Sequence, residues 1–427
     1  PGFSGTLRIT SGILNLQNSG AVGHSATNLV DILNGGSVEL QGNISIDNLN
    51  GKRFKVIGNG PTNGAIRNVS GNNSVLSDIF LSGNTRIGSD ADILTLGNIG
   101  KNSGSTSQRW NTIFAGTGNI VLTGTLGQIT LTDNPNLGNL SKIGSGTLTL
   151  NSKCYYLGNT NINTGGKVTL GMDNALPETS NLTLNDGTLN TGPYSQNLGT
   201  LSLTGNSTIN LGSTNSTIVR LAASQGSSWT SGRILTITGW DGEEGLTAYP
   251  GSSKIYIGMD QSGLTETQLA QIVFVRPNGV SFCQGAALLS DGELVPAKRP
   301  FITSVTGSQP HTPSLLSFAG YVGSTITVSG CQFFGATSVM VGTTPISSFV
   351  ESGNNITFTL PDNVSGIISI TTAGGGSRSS STSLLNLGYI AFTTPANSNG
   401  TNWNTAALWQ GNTIPPANRP VTIAFNS

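Results

Sequence analysis

The sequence predicts an all-β chain, a β-solenoid (parallel β-helix) followed by a β-sandwich, and three observations carry that expectation. Apolar residues make up 35% of the 427 residues but arrive as short alternating runs of Leu, Ile, Val and Thr. Glycine, present 59 times, together with Asn, Ser and Thr, punctuates those runs. Strand-sized runs bounded by turn residues mark ordered β structure rather than low-complexity disorder. After residue 300 the spacing of the runs changes, which marks a second kind of β architecture.

Residues 1–150 repeat a unit in which a strand such as Gly5-Thr6-Leu7-Arg8-Ile9-Thr10 is followed by a Gly turn and a second strand, Ile13-Leu14-Asn15-Leu16. Ser37-Val38-Glu39-Leu40, Asn43-Ile44-Ser45-Ile46, Asn119-Ile120-Val121-Leu122 and Gln128-Ile129-Thr130-Leu131 repeat the pattern. A rung of this size cannot bury its own apolar face, so stacking many rungs is what makes a core. Between 144 and 212 the strands close up, with Gly146-Thr147-Leu148-Thr149-Leu150, Lys167-Val168-Thr169-Leu170, Asn181-Leu182-Thr183-Leu184, Gly187-Thr188-Leu189, Leu201-Ser202-Leu203 and Ser207-Thr208-Ile209-Asn210-Leu211 in succession. Period-2 alternation turns the aliphatics inward and Thr, Ser and Asn outward.

Residues 143–150, continuing through Asn159-Thr160-Asn161-Ile162, Gly166 and Leu170, resemble the autotransporter-associated β-strand repeat of exported passenger proteins. The stretch from about 213 to 295, with Trp229, Trp240-Asp241-Gly242, Gly263-Leu264-Thr265 and residues 285–295, is similar to the closing part of such passengers. Within it, Thr265 is a fitting N-cap for a short helix over residues 266–272. The solenoid is thus expected over 1–295, and Pro296-Ala297-Lys298-Arg299-Pro300 reads as a linker.

From 301 to 387 the strands Phe301-Ile302-Thr303-Ser304-Val305, 323–330, 333–342, 356–361 and 366–372 have the spacing of a sandwich. Their order resembles an IPT/TIG domain, which implies an immunoglobulin-like fold. The tail 388–427, with Trp403, Trp409, Gly411, Pro415-Pro416 and 420–425, resembles the opening of another solenoid array of large secreted surface proteins of Bacteroidota. A chain that opens in mid-solenoid and closes on the start of another is expected to be one period of a tandem or head-to-tail assembly.

Charge sets limits on partners. Charged residues are 9% of the chain, and 19 basic side chains balance 19 acidic ones. No net field steers it to nucleic acid or an anionic surface. No apolar run has the roughly 20 residues that a membrane span needs. Three separated cysteines, Cys154, Cys283 and Cys331, supply neither a disulfide framework nor a metal motif, and one pair of them could still bridge in an oxidising setting, the sequence leaving open which.

Parallel β-helices also carry polysaccharide-cleaving sites, which need paired carboxylates or calcium-binding Asp clusters. Asp90 and Asp92 fall in a Gly-Ser-Asp-Ala-Asp turn. Asp241, Glu243 and Glu244 form the densest acidic group, a candidate cation site within a turn that follows a strand. The two histidines, His24 and His311, lie in Gly-rich and Pro-rich settings without a nucleophile motif. Trp110, Trp229, Trp240, Trp403 and Trp409 could stack on sugars, though their contexts favour burial. Trp403 and Trp409 are candidates for a joint or ligand surface.

No catalytic residue or cofactor is therefore assigned. The expectation is a non-enzymatic extracellular rod and spacer in an adhesin, sheath or fibre. Copies of itself or adjoining repeats are its partners, the unpaired backbone at both solenoid ends suits association, and surface glycans are the alternative ligand. A polysaccharide-degrading enzyme ranks third.

Overall fold

The computed structural model describes the chain apart from residues 1–4, 24–28, 48–52, 102–107, 130–136, 213–215, 308–318, 374–375, 394–420 and 426–427. It is all-β and divides into two compact units, Pro1–Pro296 and Ala297–Ser427.

The first unit is a parallel β-solenoid of about nine turns. Its walls are a ten-stranded sheet, a thirteen-stranded sheet and, towards the end, a three-stranded sheet. In the ten-stranded sheet, Leu94, Ile120, Leu148, Val168, Leu189, Ile209, Ile237 and Phe274 lie in one register column. All are fully buried. Full burial of side chains this size contributes about 1.5–3 kcal/mol each, and only stacking achieves it.

In the early coils the twelve-residue strand Asp78–Ser89 pairs with both Arg53–Gly58 and Ile66–Ser70, joining two faces into one sheet. The third wall begins as single bridges, Ile99 to Leu126 and Leu126 to Cys154. This is why Gln128 and Ile129, expected in a strand, lie outside one: Leu126 takes the rung position instead. The remainder of that expected strand, Thr130 and Leu131, falls outside the described residues.

Coil length varies. Asn84, Asn111, Asn139 and Asn159 occupy one corner at successive spacings of 27, 28 and 20 residues. Each side-chain carbonyl accepts the backbone N–H of the next asparagine at 2.8 Å. Similar stitches run from Asn119 to Thr147, Asn181 to Thr200 and Asn206 to Ile234. They satisfy corner N–H groups that the ladders leave over. At another corner Gly144 has φ +78°, and a Cβ there would sit 2.6 Å from the Gly116 carbonyl oxygen, so only glycine fits.

The solenoid ends on Ile272–Val275, and here the chain reverses. Phe282 N–H donates to Phe274 O, Gly285 N–H to Ile272 O and Ile257 N–H to Gly292 O. Antiparallel bridges join Val275 to Ser281 and Tyr256 to Glu293. The strands Ala286–Leu288 and Leu294–Pro296 pair as a hairpin. The expectation of unpaired backbone at both ends therefore fails at this end, where returning chain covers the last strand edges.

The helix is Glu266–Leu269, with Thr265 as N-cap in a capping box with Gln268. It stops short of residue 272 because Ile272 is drawn into the wall beside Leu235, and Gln268 Nε2 is anchored on Ser224 O. Burial of Ile272 outweighs further helix.

In the second unit, Phe301–Gly307, Thr325–Cys331, Asn355–Thr359 and Val350–Ser352 form an antiparallel sheet. A five-stranded sheet is built around Gly376–Asn386, Gly366–Thr372 and Ala336–Val341. Ile326, Val328, Ile356 and Phe358 from the first sheet share one cluster with Val339, Val341, Ile368 and Ile370 from the second. Tyr389–Thr393 and Val421–Phe425 pair in parallel.

One core position breaks the pattern. Lys142 stands in the column Phe114, Lys142, Ile162, Leu184, Leu203 and is fully buried. Its stem fills the column, and Nζ donates to Ile143 O and Gly144 O at 2.8 Å each. Burial lowers its pKa to about 8. Below that value the ammonium is buried at full cost. Between about 8 and the unfolded value of 10.5 the unfolded chain holds more protons, so stability rises with pH. Lys142→Met is expected to raise the melting temperature at pH 7, by up to about 3 kcal/mol in stability, with the gain vanishing near pH 10.5; calorimetry at both pH values checks this. Asn139→Ala is expected to cost about 1 kcal/mol by orphaning the Asn159 N–H, whereas Asn139→Asp keeps an acceptor and most of the stability, as chemical denaturation would measure.

Candidate functional site

The acidic residues singled out from the sequence have separate tasks. Asp241 Oδ1 accepts from Arg276 Nη1 at 2.8 Å, and the same guanidinium lies 4.1 Å over the Phe282 ring. The Asp241 backbone carbonyl accepts the Tyr249 N–H, and that of Glu243 accepts the Leu246 N–H, so residues 241–249 form a hydrogen-bonded turn. Asp241, Glu243 and Glu244 do not converge: no group of three His, Cys, Asp or Glu side chains placed to hold a metal occurs among the described residues. Asp92 Oδ2 accepts the Gly71 N–H of the preceding coil, with Asp92 at φ +53°. His24, His311, Trp403 and Trp409 lie outside the described residues.

Asp90 belongs to a cluster that the sequence did not reveal. Arg67 is held between Glu39 of the coil before and Asp90 of the coil after, and Asn63 Nδ2 donates to the other Asp90 oxygen at 2.9 Å. All three charged side chains are mostly covered. This is the carboxylate pair nearest in form to a glycan-cleaving dyad, but a cation stands between its members. Hydrogen bonding to Asp90 raises the Arg67 pKa above its ordinary value, so the guanidinium stays protonated and charged. A clamp over three coils is what this geometry provides. A second ladder, Arg8, Asp31 and Lys55, alternates charge in register on successive coils, with Arg8 Nε 3.0 Å from Asp31.

Glu293 is a further buried acid that sequence reading missed, beside Glu39 and Asp31. It is 1% exposed and accepts from Lys254 Nζ at 3.1 Å, from the Thr247 hydroxyl and from the Ala248 N–H at 2.9 Å. It ties the turn after Asp241 to the closing hairpin. Cys154 is free and buried, and burial pushes its thiol up to about 12, far from a thiolate nucleophile.

The described tryptophans serve the core. Trp240 is fully buried, edge-on to Phe274 and Phe282 with ring centroids 5.4 Å away in each case. Trp229 bridges to Leu203 as a rung and donates from Nε1 to Leu201 O at 3.0 Å. Trp110 is half-buried against the core with Lys101 Nζ 4.8 Å over its ring. Trp229, like Trp110, is partly buried against the solenoid core.

Removing the central cation tests the clamp. Arg67→Met leaves Glu39 and Asp90 without their counter-charge and is expected to cost about 1–3 kcal/mol, less than a wholly buried pair because its members are partly hydrated. Double-mutant cycles with Glu39→Gln and Asp90→Asn, read by denaturant unfolding, measure the coupling; additive single effects would refute the clamp.

Compared with known families and with curated proteins, the sequence matches no family model and no curated protein.

Proposed function

We propose that the chain is a non-enzymatic extracellular structural or adhesive protein, a rigid rod and spacer in a surface adhesin, sheath or fibre. The observation that carries this reading is the uninterrupted core through about nine turns, stitched coil to coil. Its covered carboxylates are tied to cations that span coils: Glu39 and Asp90 to Arg67, Asp31 to Arg8 and Glu293 to Lys254. Such an arrangement resists bending and leaves its acids engaged in structure.

The finer parts of the reading have their own support. The close-set strands at 143–170 favour the autotransporter-associated repeat. Two sheets sharing one core favour the immunoglobulin-like IPT/TIG assignment for 301–387. The parallel pair Tyr389–Thr393 with Val421–Phe425 is the pairing expected if the tail opens another array. Partners are copies of this chain or adjoining repeats. The antiparallel return over the last coil favours contacts along the sides over addition at that end. Balanced charge speaks against nucleic acid, and no helix among the described residues is long and apolar enough to cross a membrane.

Electron microscopy of the full chain is the test. Bundled or regularly spaced rods are expected. Dispersed single rods that bind a defined glycan would replace the structural reading with a glycan-binding one. Turnover of a pectin-like polymer, lost on Asp241→Ala, would refute the non-enzymatic reading.

A further inference from the structure

The outward face of the ten-stranded sheet carries an array that no part of the rod requires. Successive pairings from Ser45–Ile46 to Ile272–Val275 run without a register shift. The thirteen-stranded sheet, in contrast, slips at Trp110, Leu40 and Val56. Outward residues of the ten-stranded sheet therefore stand in straight columns. One column is Thr147, Lys167, Thr188, Thr208 and Thr236. Beside it, two residues along each strand, runs Thr149, Thr169, Asn190, Asn210 and Thr238.

These threonines are half-buried by their neighbours, and β-branching restricts their rotamers. Among the described residues, none hydrogen-bonds their hydroxyl groups. Asn190 and Asn210 are fixed as well, accepting from Gly192 N–H at 3.2 Å and Gly212 N–H at 3.0 Å. The result is an ordered grid of polar groups whose threonine hydroxyls are open to an outside partner. Its repeats are those of a β-sheet, about 4.8 Å from rung to rung and about 6.7 Å between same-face residues on one strand.

A grid that repeats in two directions is matched best by a ligand that does the same. The two columns contain one cation, Lys167, with no anion and no aromatic residue, so the ligand is an uncharged lattice of hydrogen-bonding groups rather than a sugar ring seeking a stacking platform. A second copy fits less well, because stable interfaces centre on an apolar, aromatic-rich core that this face lacks. Hexagonal ice presents oxygen repeats close to both spacings on its prism face. We propose that this face binds ice: threonine hydroxyls take lattice water positions, their methyl groups fill the hollows between, and many weak contacts act together on one rigid support. The proposal stands whether or not the rod belongs to a fibre.

The test is partition of the full chain into slowly grown ice, with microscopy of crystal shape. Several-fold enrichment in ice over an inert globular protein, with faceted crystals, is expected. Thr149→Tyr, Thr169→Tyr and Thr208→Tyr are expected to abolish enrichment, while Thr183→Tyr, outward on the thirteen-stranded sheet, leaves it intact. Circular dichroism identifies any variant that fails to fold; wild-type partition decides the proposal even then. Absence of enrichment for the folded wild type overturns it. So does enrichment that survives all three substitutions, retention on crystalline chitin or cellulose in place of ice, or self-association that the three substitutions abolish without enrichment in ice.

Discussion

Everything in the first unit depends on one requirement: after each circuit the backbone must return so that an inward side chain lands on its equivalent in the coil before. Ladder hydrogen bonds fix the vertical distance, and the inward residue fixes the phase. Leu148 over Ile120 and Val168 over Leu148 obey this although the intervening circuits differ in length. At described corners, asparagine carbonyls and positive-φ glycines accommodate the change of circuit. A slip of one residue would turn the whole aliphatic column outward.

Several polar groups in this core close their hydrogen bonds locally. Lys142 reaches two corner carbonyls, and Gln196 exchanges bonds with the backbone of Leu176 across one coil. Tyr156, Thr160 and Ser180 form a buried hydroxyl chain. Charge is handled differently in the early coils, where Arg67 and the Arg8–Asp31–Lys55 ladder set opposite signs on neighbouring coils. The later coils use Ser, Thr and Asn at corresponding outward places.

Columns such as Leu148, Val168, Leu189 and Ile209 were legible because alternation is a local property, written within four or five residues. Partnerships between coils were not. Glu39 and Asp90 lie 28 and 23 residues from Arg67, and unequal circuits remove any fixed offset by which to find them. Lys142 was hidden because a lysine in a strand reads as outward when its phase against the next coil is unknown. Trp240 was expected to be buried and is. The helix start at Thr265 was readable from its capping pattern, but its end depended on Ile272 meeting Leu235, a tertiary fact.

The unequal circuits have a geometric consequence. Each coil advances the rod by one strand spacing, about 4.8 Å, however much chain it contains. The circuit from Asn139 to Asn159 achieves this rise with 20 residues, and that from Asn111 to Asn139 uses 28. Length along the axis is thus counted in turns, while residues added at a corner go into girth and surface relief. A molecule built this way is a ruler whose graduations are set by the peptide bond, and its flanks can change while its measure stays the same.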